Sequence, residues 1–197
     1  MKRLHRRDLF GWSVYNERLD IDFNSVLWTR SEGNVAIDPL PLTAHDRAHV
    51  ESLGGIALIV VTNSAHARAT AELALAFGAR VAGPAQEQAA FPVACERWLR
   101  DGDEVVPGLA CLELDGSKTP GELALVLEGT TLITGDLVRS HRAGALALLR
   151  PDQLRDEQLA RAAVARLAER PFEAVLVGDG YSVYRDGARY LRELAAA

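Results

Sequence analysis

Cysteine is nearly missing: Cys95 and Cys111 are the only two, and they stand in separate segments. That excludes a disulfide framework and a zinc knuckle, and leaves two reduced thiols of the kind expected in a cytoplasmic protein. Long apolar runs are missing too. The run from 56 to 61 falls far short of the roughly 18 residues that a membrane span needs, so no membrane association is expected. The Arg6-Arg7 pair is followed by Asn16, Glu17, Arg18, Asp20 and Asp22, not by an apolar segment, which argues against an export signal. Excess positive charge is also lacking. At a formal charge of -5, neutralising phosphates is not the chain's main business, and no nucleic-acid partner is expected. The cations that do cluster, Lys2, Arg3, Arg6 and Arg7, read as a solvated tail on an N-terminal extension covering residues 1–20. No Gly-rich phosphate loop, Gly-x-Ser-x-Gly elbow or Cys/His nucleophile pair is visible.

What remains is an ordinary globular composition over 197 residues, 48% hydrophobic and 25% charged, enough for one domain with a sizeable core. Residues 23–29 and 34–37 alternate apolar and polar around Ser31-Glu32-Gly33 and predict a hairpin. A helix is expected over 44–53, stopped by Gly54-Gly55. The β-branched run 56–61 predicts a strand covered on both faces. Ala69, Leu73 and Phe77 mark one face of a helix ending at Gly78, and 80–83 returns as a strand. Residues 84–103 read as loop, while 109–114, 123–127 and 130–134 read as strands. Helix is expected over 152–169 with Leu159, Ala163 and Leu167 inward, then a strand at 174–177 and a helix over 186–194. Each half runs from strands to a helix. The fold class this supports is an α/β four-layer αβ/βα sandwich, with two mixed sheets face to face and helices outside.

Five segments carry a resemblance. They are the hairpin from Asn24-Ser25-Val26-Leu27 to Gly33-Asn34-Val35-Ala36-Ile37-Asp38-Pro39, then Val60-Val61-Thr62-Asn63-Ser64-Ala65-His66-Ala67-Arg68, and Ser117-Lys118-Thr119-Pro120-Gly121-Glu122-Leu123-Ala124. Thr134-Gly135-Asp136 and Leu176-Val177-Gly178-Asp179-Gly180 complete the set. Together they resemble the metallo-β-lactamase superfamily, whose motifs there are Thr-His-x-His-x-Asp-His, Gly-His-Thr-Pro-Gly-Ser-x-Ala, Thr/Ser-Gly-Asp and a closing Gly-His-Gly. The resemblance implies that the family's metal positions fall on Asn63, Ala65, Ala67, Arg68, Lys118, Asp136 and Asp179. Only Asp136 keeps the family's residue type.

A catalytic zinc takes three imidazole or carboxylate ligands and keeps a place open for water. Alanine methyls coordinate nothing, an asparagine amide is a poor zinc ligand, and Arg68 and a protonated Lys118 present donors only. No cofactor is therefore expected; the alternative is a single zinc, iron or manganese ion on Asp136, Asp179 and His66. Without metal, Lys118 and Arg68 are expected to neutralise Asp136 and Asp179 in a salt-bridge network. Catalytic candidates are Asp136, Lys118, Asp179 and His66; candidates for holding a substrate are Asn63, Arg68, Thr119 and His141. His66 stands out of the family's phase and reads first as a solvent-facing or turn-capping residue. Asp38 reads as the anchor of a turn at the site floor.

Three functions stay open. One is a metal-free pseudoenzyme or small-molecule-binding protein. The second is a metal-dependent hydrolase with a reduced mononuclear site at Asp136 and Asp179, using His66 or His141. In the third, the cleft catalyses without metal, with Lys118 or an aspartate as acid or base. A homodimer is compatible with all three.

Overall fold

Of the four cations that read as a solvated tail, Lys2 and Arg3 lie in a strand and Arg6 and Arg7 in the turn that follows it. In the computed structural model, which describes residues 1–197, β1 (Lys2–Arg3) and β2 (Leu9–Asn16) lead into β3 (Ile21–Trp28). β2 and β3 pair antiparallel from Leu9 opposite Trp28 to Asn16 opposite Ile21. Leu9 and Trp12 are buried, whereas Val14 and Tyr15 are exposed, so the strand carries no clean alternation for the eye to follow. Lys2 and Arg3 do stay in solvent. Charge on an exposed edge strand protects it from pairing with other chains, and here it also disguised the strand.

The first sheet continues through β4 (Val35–Ile37), β5 (Leu58–Val60), β6 (Arg80–Pro84) and β7 (Arg97–Leu99), in sequence order from β1 to β7. β4 to β7 run parallel, with α1 (Ala44–Ser52) and α2 (Thr70–Phe77) in the connections. Thr43 Oγ1 accepts the Asp46 N–H at 3.1 Å and caps α1. Gly78 closes α2 with a left-handed φ of 64°, a conformation glycine takes without strain. The stretch 84–103 is not all loop, since β7 lies in it; three residues between turns are too few to show a period.

The second sheet has the order β14-β11-β10-β9-β8. Its strands are β8 (Glu104–Val106), β9 (Leu109–Leu114), β10 (Glu122–Leu127) and β11 (Thr131–Thr134). Beyond a small hairpin of β12 (Val138–Arg142) and β13 (Ala145–Leu148) comes α3 (Glu157–Ala168). β14 (Ala174–Val177), parallel to β11, and α4 (Gly187–Ala195) end the chain. α3 starts later than the sequence suggests, because 151–153 form a separate single turn and Asp156 supplies the cap. With the start displaced, Leu159 faces solvent, and Ala160, Ala163, Val164 and Leu167 form the buried face.

Three apolar layers hold this together. Val26, Ile37 and Val60 of the first sheet meet Leu123, Leu125, Ile133 and Leu176 of the second. Val50 and Leu73 cover the outer face of the first sheet over Ile59 and Val61. Val164, Leu167 and Leu191 cover the second over Val126, Leu132 and Val175. Each such fully buried aliphatic side chain contributes about 1.5–3 kcal/mol of transfer free energy. The layers run helix, sheet, sheet, helix: the four-layer sandwich expected. No helix is long and apolar enough to cross a membrane. β4, β5, β11 and β14 all end at one rim, where the backbone bonds Leu123 N–H to Thr62 O, at 2.8 Å, and Asn24 N–H to Gly178 O, at 2.7 Å, tie the sheets together.

Candidate functional site: a buried cluster of acids and cations

The strands β4, β5, β11 and β14 each deliver one acid or its partner to that rim. Asp38 follows β4 with a left-handed φ of 47°. The turn points its carboxylate at the next strand, where it accepts Thr62 N–H at 2.7 Å and the Thr62 hydroxyl at 2.6 Å. Its Oδ2 also accepts His66 Nδ1–H at 2.8 Å. Asp38 is thus the floor anchor expected, and it orients the only imidazole in the cluster as well.

His66 is buried, at 4% exposure, which overturns its reading as a solvent-facing residue. A 3-10 turn over Ser64–His66 explains the change. At three residues per turn the register tightens, so Ala65 faces out and His66 turns inward. Its Nε2 lies 3.7 Å from Asp136 Oδ1 and 3.2 Å from Arg68 Nη2. Burial and the Arg68 charge oppose a proton on this ring, but Asp38 and Asp136 outweigh them and raise its pKa to about 10.

Arg68 also sits at a left-handed φ, 39°. Its guanidinium turns back over the rim and donates to Asn24 O at 2.7 Å, to Asp38 O at 3.2 Å and to Asp179 Oδ1 at 3.5 Å. Lys118 Nζ stands 3.7 Å from Asp136 Oδ2. Both cations expected from the sequence to neutralise the acids are thus beside them, Arg68 at Asp179 and Lys118 at Asp136. A third cation was not foreseen: Arg139, on β12, reaches Asp179 Oδ2 at 3.0 Å. No family position marks it, and β12 itself lacks a readable period.

Burial alone would raise both site acids, yet they end on opposite sides of the ordinary range. Asp136 is held well below it by the hydrogen bond and charge of His66, then by Lys118 and Arg139. Asp179 stays above it, since burial and the Asp136 charge exceed the help from His66, Arg139 and Arg68. Behind them Glu122, fully buried, accepts the N–H groups of Asp136 and Leu137, both at 2.8 Å, and the Ser117 hydroxyl. Burial and the neighbouring Asp136 charge push its carboxyl upward. Glu122 stands where the resemblance has a serine, and it holds the loop that carries Asp136.

The cluster therefore gathers Asp136, Asp179, His66, Lys118 and Arg68. Asn63 lies at its back, with neither amide atom hydrogen-bonded although both are buried. Thr119 Oγ1 is likewise buried without a partner. His141 is exposed on β12 and takes part in none of these contacts.

His66, Asp136 and Asp179 are the only three side chains whose ligating atoms converge for a metal, within 4.8 Å of one another. The surroundings of this set fit a metal poorly. The imidazole would have to shed its proton and admit an ion beside the Arg68 guanidinium, 3.2 Å away. A divalent ion 4 Å from a fixed cation is repelled by roughly 8 kcal/mol at an effective dielectric near 20. Arg139 already engages Asp179, and the Lys118 charge stands 3.7 Å from Asp136 Oδ2, an oxygen without a hydrogen-bond partner.

The family model of the metallo-beta-lactamase superfamily matches residues 1–197. A comparison with curated protein sequences finds no match. Among solved structures, a metallo-beta-lactamase from Pontibacter korlensis superposes with a TM-score of 0.74 at 15% identity, covering 97% of this chain and 96% of that one. FIM-1 from Pseudomonas aeruginosa, in a mono-zinc form, gives 0.74 at 16% identity over 95% of this chain and 90% of its own. TTHA1623, in a di-iron-bound form, gives 0.67 at 24% identity over 88% and 94%. At such identities the likeness speaks to the fold.

Proposed function

Because the chain belongs to the metallo-beta-lactamase superfamily, and its site acids already face protein cations, we propose that it is a metal-free member of that superfamily. In this reading the scaffold serves as a small-molecule-binding protein, not as a metallo-hydrolase. One observation carries it: Arg139 and Arg68 on Asp179, and Lys118 on Asp136, at 3.0, 3.5 and 3.7 Å. A metal centre needs carboxylates with charge to spare. Here Asp38, Asp136 and Asp179 are met by His66, Arg68, Arg139 and Lys118, and no net negative charge is left to hold a dication. Structural zinc in small peptides gains on the order of 10–16 kcal/mol from a full ligand set. Three donors under this repulsion fall well short.

The convergence of His66, Asp136 and Asp179 favours one competing reading, a hydrolase with a single metal ion. Elemental analysis of protein purified without chelator or histidine tag separates the two. Zinc, iron and manganese well below one equivalent, with no anomalous peak beside Asp136 after a zinc soak, are expected. Near-stoichiometric metal overturns the proposal in favour of the hydrolase.

A further inference from the structure

A groove runs along the open edge between β1–β2 and the segment that follows β14, and none of the clustered acids and cations lines it. Its inner part is a cavity of about 230 Å³ bounded by Trp12, Asp22, Tyr181 and Tyr184. Its outer part is a wide basin, joined to the cavity through Lys2, Leu4 and Tyr184, which border both.

The charge of the basin runs against that of the chain. Lys2, Arg3, Arg6 and Arg185 border it, with Glu173 as the single acid, in a protein of net charge -5. Arg6 is engaged by Asp8 and Glu128. Lys2, Arg3 and Arg185 are exposed and in no ion pair. Three unpaired cations bordering one basin create a positive potential that concentrates anions. At the cavity end the sign reverses, for Asp22 lines it and repels a negative group placed deep inside. The half-exposed Tyr184 ring lies between the two parts, 5.6 Å from the His5 ring. Sites for drug-sized molecules occupy roughly 300–1,000 Å³; this cavity is smaller and suits about one ring.

We propose that the groove is a binding site for a small aromatic anion. One planar ring enters the cavity beside Tyr184, and a phosphate or carboxylate head rests on Lys2, Arg3 and Arg185. The proposal stands whether or not a metal is found at the acid cluster, because no residue of the groove belongs to that cluster.

The chain has two lysines, Lys2 and Lys118, so ¹³C reductive methylation gives one side-chain probe in the groove and one outside it. In an NMR titration the Lys2 signal should shift saturably with phenyl phosphate, and Lys118 should not follow. Inorganic phosphate and phenol should each need at least about ten-fold more, since each supplies half of the contact. Benzoate in place of phenyl phosphate reports which head is preferred. Arg3→Ala/Arg185→Ala, both at exposed positions, should keep a folded spectrum and weaken phenyl phosphate about ten-fold or more. A Lys2 signal unmoved by phenyl phosphate, or moved as readily by inorganic phosphate, overturns the proposal. So does undiminished binding in the double variant.

Discussion

Arg139 and Lys118 each face a buried acid, yet their removal should cost very different amounts. Arg139 is 10% exposed and 3.0 Å from Asp179; Lys118 is 44% exposed and 3.7 Å from Asp136. Removing the buried partner leaves the Asp179 carboxylate to the longer Arg68 contact at 3.5 Å, so Arg139→Ala should lower unfolding free energy by about 3 kcal/mol. Lys118→Ala, largely screened by water, should cost no more than about 1 kcal/mol. Urea unfolding of both variants at neutral pH checks the ratio, and equal losses would contradict it. The sequence alone offered Lys118 and Arg68 and not Arg139, because family positions can be counted and burial cannot. His66 makes a related point. One tightened turn, invisible in composition, carries it from outside the ligand phase to the centre of the cluster. Its pKa rises from 6.5 to about 10 on folding. A group raised in this way stabilises fully below its unfolded pKa, and the contribution is lost as pH climbs through the folded one. Wild-type stability should therefore fall between about pH 6.5 and 10, and His66→Gln should lack that part of the fall in a pH series of unfolding curves.

Between elements, short connections do the positioning. Glu122 opens β10 and binds the two N–H groups of the Asp136–Leu137 turn. Glu122→Ala leaves those donors and the Ser117 hydroxyl unmatched in the interior, at a cost of about 2–3 kcal/mol. Glu122→Gln keeps an acceptor oxygen in place and should recover most of the loss, which thermal melts of the pair would show. Gly180 joins β14 to the β12 hairpin so closely that an added Cβ would lie 1.5 Å from Ser140 O, at a φ of 92° where side chains are strained. Gly180→Ala should destabilise by about 3 kcal/mol or more and separate the rim strands. Neither role is legible beforehand. Glu122 was part of a recognisable motif, but its partners are backbone groups fourteen and fifteen positions away in the chain, and sequence spacing does not report those.

At the scale of the molecule the hydrophobic pattern served well. Buried runs such as 58–60, 123–127 and 174–177 announced the central strands, and their order along the chain announced four layers. The periphery was harder. β1, β7, β8, β12 and β13 are short or charged, and pairing across space defines them more than any period in their own residues. On the metal-free reading proposed above, chelation should leave the whole fold untouched. EDTA in excess, or added zinc, should shift Tm by less than about 1 °C, since only a ligand that binds the native state raises it. A large chelator-induced drop would contradict this.

The Arg139–Asp179 contact also bears on how the protein is made. On the metal-free reading proposed above, the counter-ion is encoded in the gene and delivered with every copy at translation, at fixed stoichiometry, with no chaperone or transporter to supply it. Cells starved of zinc and cells replete with it should accumulate the same amount of mature protein.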